Sequence, residues 1–194
     1  MTTTGRRSLS RSRRPRDAAA SRTAILTAAR ACFSEDSYER VGVRDIATRA
    51  GVTAALVIRY FGSKERLFAE ALRRDLRDLG LAELLAGDLE QLGARLARYV
   101  VLEAPPGPLL TILRAAPNAP AAALVREITD EEFTVPLARR LAGEHAALRA
   151  SVVTALVLGL AVRYHVLQDG PSTVGEGEAV VALVAPALRS YITG

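Results

Sequence analysis

Apolar residues return every three to four positions along nearly the whole chain, the spacing of one face of an α-helix. The first run, Ile25, Ala28, Ala29, Cys32 and Phe33, predicts a helix over about Ala18 to Ser34. Between Val43 and Lys64 the runs shorten: Ala47, Gly51 and Val57 follow at intervals of four and six, with Ile46, Ala50 and Val52 as apolar fill. Two helices that cross steeply need a small residue where they touch and a residue that tolerates positive φ at the turn, and Ala47 and Gly51 meet those needs. Thr53 stands where the second helix needs an N-cap. The pattern is a helix-turn-helix, whose usual work is to lay its second helix in a DNA major groove.

The rhythm resumes after Ser63, which caps a helix running to about Leu79 with Leu67, Phe68, Ala71, Leu72 and Leu76 on one face. This helix closes the N-terminal bundle and leads into the rest of the chain as a mechanical link. Lys64 in its first turn opposes the helix dipole unless an anion such as a DNA phosphate comes close. Further helices are expected at about Glu90 to Leu102, Pro108 to Ala115, Ala119 to Ile128 and Glu131 to Leu141, punctuated by Gly87, Ala104 to Pro108, Pro117 to Pro120 and Gly143. Leu96, Tyr99, Leu113, Phe133 and Tyr164 are candidates to line a ligand cavity, against the plainer reading of core. Asp130-Glu131-Glu132 reads as a solvated acidic helix start. Two long helices end the chain, Glu144 to Gln168 and Glu178 to Tyr191. Val152, Ala155 and Gly159 on the first, and Val184 and Leu188 on the second, belong to stripes that can be buried within one chain or against a second copy.

Composition sharpens this picture. Apolar residues make up 49% of the chain and aromatics 5%, with no Trp, so the core is built from Ala, Leu and Val, which favours helices. Cys32 has no cysteine partner and reads as a small buried hydrophobe. No signal peptide is apparent, and the most apolar stretch, Val152 to Val162, is 11 residues, short of the ~20 a membrane span needs. Residues 1–70 carry a net charge of +7 and the remainder −2. That is the balance of a DNA reader attached to a near-neutral body. Thr2 to Arg16 holds six arginines and little to bury, so residues 1–17 are expected to be a disordered basic arm, either a solvated tail or an arm that follows the DNA backbone.

Catalytic machinery has no candidate. There is no phosphate loop or nucleophile elbow, and His145 and His165 stand 20 residues apart without a carboxylate or cysteine partner, so no metal and no cofactor are expected.

Over Arg22 to Leu72 the sequence resembles the TetR family of bacterial transcriptional regulators. The resemblance rests on Ile25-Leu26, Ala28-Ala29, Phe33, Ile46-Ala47, Ala50-Gly51-Val52-Thr53, Tyr60-Phe61, Ser63-Lys64-Glu65 and Leu67, in register without a gap. It departs at Ser37, where the family usually has a glycine ending the first helix, and at Gly42, where a Ser or Thr usually caps the second. The resemblance implies an all-α fold: an N-terminal three-helix DNA-binding bundle with the helix-turn-helix over residues 18–66, and a C-terminal helical ligand-binding and dimerisation domain over 67–194, with Val152, Ala155, Gly159, Val184 and Leu188 in a four-helix dimer interface. It implies that the positions of Arg44, Ala54, Ala55, Leu56, Ile58, Arg59 and Tyr60 face DNA, and that Thr53, Tyr60 and Lys64 hold phosphate. Only Arg44 and Arg59 among the base-facing side chains carry a charged reading group. The expected protein is a cytoplasmic, homodimeric, sequence-specific repressor, bound to a double-stranded operator and not to a membrane, and released by a small apolar or aromatic effector. The rivals are a constitutive DNA-binding protein whose second domain only dimerises, and a helical enzyme or interaction module in which the motif is fortuitous.

Overall fold

The computed structural model describes residues 13–167 and 173–194, with side chains from residue 18 onward. Most of the expected basic arm and the loop at 168–172 lie outside the described residues. Among the described residues every regular element is helical. The helices are α1 (Arg13–Glu35), α2 (Val43–Arg49), α3 (Ala54–Phe61), α4 (Lys64–Asp78), α5 (Leu81–Leu85), α6 (Leu89–Arg98), α7 (Pro106–Ala115), α8 (Ala119–Thr129), α9 (Val135–Ala138), α10 (Ala146–Ala161) and α11 (Val174–Thr193). Three π-helical turns, Tyr99–Glu103, Asp130–Thr134 and Val162–Val166, continue α6, α8 and α10.

Several expected boundaries move. Helix α1 starts at Arg13, so residues 13–17 are helical and not part of an irregular arm. Helix α8 does not stop at Ile128: α8, the π turn and α9 run on from Ala119 to Ala138, which puts Asp130-Glu131-Glu132 inside a helical run instead of at a solvated start. The short α5 falls in a stretch where the sequence pattern named no element. With its π turn, α10 reaches 21 residues and is long and apolar enough by composition to cross a membrane, which the 11-residue apolar stretch did not suggest. Ser37 replaces the expected glycine without strain, because His145 is the one non-glycine residue at positive φ among the described residues.

The first core holds Ile25, Ala29 and Phe33 of α1, Ile46 and Ala47 of α2, Val57 of α3, and Leu67, Phe68 and Leu72 of α4. It continues without interruption into Ala115 of α7 and Ala121 and Ile128 of α8. A second core joins α6, α9, α10 and α11 through Leu92, Leu96, Leu137, Val153 and Ile192. Here α6 and α11 meet almost backbone to backbone: a Cβ placed on the buried Gly93 would stand 2.8 Å from the Arg189 amide nitrogen and 2.9 Å from the Ala185 carbonyl oxygen. Within the chain a Cβ on Gly159 meets nothing within 4 Å, so that face of α10 is open. Leu188, expected at a dimer interface, is only 1% exposed and belongs to this inner core, on the side of α11 that faces its own chain.

Candidate nucleic-acid interface and apolar cavity

The turn between α2 and α3 forms as the residue pattern requires. Gly51 sits at φ +68°, which lets the Val52 amide donate back to the Ala47 carbonyl at 3.0 Å. The Thr53 hydroxyl caps α3 by accepting from the Leu56 amide at 3.3 Å. At the head of α2, Gly42 has no side chain to cap with, and its own amide donates to Asp45 Oδ2 at 2.9 Å. Val57 and Phe61 turn inward, leaving Ala55, Ile58 and Arg59 exposed on one side of α3, three and four residues apart. Arg44 is exposed in the first turn of α2, and neither it nor Arg59 forms an ion pair among the described residues. Ala54 and Tyr60 are half-buried against the first core, and Leu56 is half-buried. In the free chain Ala55, Ile58 and Arg59 are thus the more exposed of the α3 positions that the resemblance assigns to DNA.

Lys64 has neighbours that the sequence did not disclose. Its ammonium lies 4.3 Å from the centre of the Tyr38 ring and donates to the Glu39 carbonyl at 3.5 Å. Burial holds its pKa below the ordinary lysine value. Tyr38 is fixed in turn: its ring meets Phe68 edge-on at 5.1 Å, and its hydroxyl donates to Glu65 Oε1 at 3.2 Å. Burial first, and then the Glu65 charge, push that phenol up to about 12. No periodic signal marked Tyr38, because it lies in the irregular stretch after α1. It is nevertheless the residue under the lysine.

Helix α4 binds α1 on one side and the α8 region on the other. Towards α1, Arg30 Nε donates to the buried Asp75 at 2.5 Å and Arg30 Nη1 reaches Asp78 at 2.8 Å, while Arg22 pairs with Glu70 at 2.6 Å. Burial raises the Asp75 pKa, and Arg30 opposes the rise. Towards α8, Arg73 pairs with Glu131 and Arg77 with Glu132, each at 2.8 Å. The acidic run is thus the counter-charge of α4.

A cavity of about 80 Å³ lies beside the end of α4. Its wall includes Leu76 of α4 and Leu79 just after it, Leu96 from α6, Tyr99 and Phe133 from two of the π turns, and Thr129 at the end of α8. Of the five residues proposed from sequence, Leu96, Tyr99 and Phe133 line it. Leu113 and Tyr164 do not: they pack against a third small core, of which Val100 and Leu109 themselves line the cavity. Tyr164 sits in the π turn that continues α10, which shifts the phase of that helix, whereas Leu113 lies in the regular α7. Among the described residues no three His, Cys, Asp or Glu side chains gather as a metal site would require.

Comparison with known proteins agrees with this geometry. The family described as "Bacterial regulatory proteins, tetR family" matches residues 25–71, and "Tetracyclin repressor-like, C-terminal domain" matches residues 90–192. A stretch of 58 residues is 45% identical to the HTH-type transcriptional regulator BetI of Agrobacterium fabrum, spanning 30% of this chain and 28% of that protein. A TetR-family regulator from Streptomyces coelicolor A3 is 28% identical with a TM-score of 0.59, over 98% of this chain and 100% of that one. NalD of Pseudomonas aeruginosa, the secondary repressor of the MexAB-OprM multidrug efflux pump, shares the fold at 22% identity and a TM-score of 0.62, over 87% of this chain and 95% of that one. With the helix-turn-helix and the C-terminal helices both matched, this chain belongs to the TetR family of transcriptional regulators, which bind DNA and are not enzymes.

Proposed function

We propose that the chain is a cytoplasmic, homodimeric repressor that leaves an inverted-repeat operator when a small apolar or aromatic molecule enters the cavity beside α4. Residues up to 66 meet DNA, and residues from 67 onward bind the ligand and the second copy. Arg44 and Arg59 read base edges, Ala54, Ala55, Leu56 and Ile58 supply apolar contact to thymine methyls, and Thr53, Tyr60 and Lys64 hold phosphate. Dimerisation uses the outer faces of α10 and α11, where Ala155, Leu156, Gly159 and Leu183 are exposed and Val152 and Val184 are half-covered. The same use accounts for the long apolar α10 without a membrane.

The observation that carries the release mechanism is the cavity itself. At about 80 Å³ it is well below the roughly 300 Å³ and more of a pocket shaped for a drug-sized ligand. A larger ligand must part Leu76 and Leu79 from Thr129 and Phe133, which moves α4 against the rest of the protein. Because α4 begins at Lys64, beside the helix-turn-helix, such a move alters the separation of the two recognition helices, and operator half-sites fix that separation. A ligand that prefers the displaced state by ~1 to 3 kcal/mol weakens operator binding about 5- to 150-fold. The test is to select bound sequences from a random duplex pool, then titrate ligands against free protein and against the operator complex. Reciprocal weakening supports release. A defined operator with no ligand that weakens it leaves a constitutive DNA-binding protein.

A further inference from the structure

We infer that Thr129 selects the effector, and that the effector is a neutral molecule with an apolar body and one hydroxyl or carbonyl oxygen held by the Thr129 hydroxyl. This rests on the cavity beside α4 being the effector site. No charged side chain lines that cavity, so a charged ligand would enter without a counter-ion. Three of its lining residues carry hydroxyls, and two are already committed. Tyr99 donates to the Leu79 carbonyl at 3.3 Å. Thr154 donates to the Ala150 carbonyl at 2.9 Å and lies 3.1 Å from the Thr134 hydroxyl.

The third, Thr129 Oγ1, has no hydrogen-bond partner and is buried beyond the reach of even a water in the cavity as it stands, so a ligand meets it once Leu76 and Leu79 part from Thr129 and Phe133. A helical threonine ordinarily settles this by bonding to the carbonyl four residues back, as Thr48, Thr111, Thr154 and Thr193 all do here. Thr129 closes α8 immediately before the π turn that also supplies Phe133 to the cavity. A buried hydroxyl left unmatched is destabilising, and one hydrogen-bonding atom on a ligand would relieve it. A hydroxyl both donates and accepts, so alcohols, phenols and neutral carbonyl compounds all qualify.

The test uses phenol, benzene and benzoate as probes, titrated calorimetrically into the full chain and its Thr129→Val and Thr129→Ser variants. Phenol and benzene require nearly the same widening of the cavity, so the ratio of their affinities isolates the hydroxyl. That ratio is expected to fall about 5- to 150-fold in favour of benzene in Thr129→Val and to be retained in Thr129→Ser. Benzoate is expected to bind at least about 100-fold more weakly than phenol to wild type. An unchanged ratio in Thr129→Val, or benzoate binding as well as phenol, overturns the inference. Should Thr129→Val unfold, Thr129→Ala makes the same comparison. If no probe binds any variant, the effector-site reading fails and this inference with it. If phenol binds through Thr129 yet leaves operator affinity unchanged, the selectivity stands and only the release mechanism fails.

Discussion

Arg44 and Arg59 stand on the outer side of the helix-turn-helix with no acid to hold them, whereas Lys64 rests on an aromatic ring and a carbonyl. The two kinds of cation should therefore fail differently. Arg59→Ala is expected to cost ~1 to 3 kcal/mol on the selected operator and little on random duplex, while Lys64→Ala weakens both alike and flattens the salt dependence. Fluorescence anisotropy on specific and random duplexes at several salt concentrations checks this, and equal losses for Arg59→Ala would remove it as a base reader. Two acids on α4 give a second residue-level prediction. Glu65 is held below its ordinary value of 4.5 by its own amide and the Ser63 hydroxyl, so the stability it contributes is present above pH 4.5 and lost as pH falls through its folded value. Asp75 is raised above 3.8 by burial, so its contribution has the opposite sign: it is fully present below pH 3.8 and lost as pH rises through the folded value. In urea melts between pH 3 and 6, Glu65→Gln should flatten the acid loss of stability. Asp75→Asn should steepen it.

Among the elements, α4 and the α6–α11 pair decide what moves and what does not. Towards α1, α4 is held partly by a buried carboxylate, and towards α8 by the more exposed Arg73–Glu131 and Arg77–Glu132 pairs. Exposed pairs contribute about 0.2 to 1 kcal/mol each, so the α8 side is the one a ligand can open. Glu131→Gln with Glu132→Gln should tighten ligand binding by a few-fold and weaken ligand-free operator binding by a similar factor, read from paired titrations. Gly93 is the opposite case. Its neighbours within 3 Å are backbone atoms of α11 that cannot step aside, so Gly93→Ala is expected to destabilise by ~1 to 3 kcal/mol in denaturant melts. Neither feature was legible in the sequence. A glycine between Leu92 and Ala94 shows no period, and partners for Arg73 and Arg77 lie more than fifty residues away. What was legible came from local rules: the turn at Gly51, the caps at Thr53 and Ser63, and the buried face of α1. The cavity was legible only in part, because its wall is assembled from helices distant in the chain, and helical spacing alone does not say which faces meet.

For the molecule as a whole, the outer faces of α10 and α11 predict a dimer. Gly159→Leu would add bulk to an open face without disturbing the chain's own core, so it should weaken self-association and operator binding while leaving monomer stability nearly unchanged. Light scattering beside denaturant melts separates these effects, and a wild type that is monomeric at micromolar concentration would remove the premise. The continuity of the first core has another consequence. Ala115, Ala121 and Ile128 complete the packing of α1 to α4, and the Asn118 side-chain amide donates to Glu39 at 3.0 Å across the same contact. A segment cut out at residue 66 would leave Phe33, Ile46 and Val57 without Leu67, Phe68 and Leu72 to cover them. Chimaeras that graft this DNA reader onto a foreign sensor must therefore carry α4 with it and supply a matching surface for α7 and α8, so the recombination unit of this protein is larger than its recognition motif.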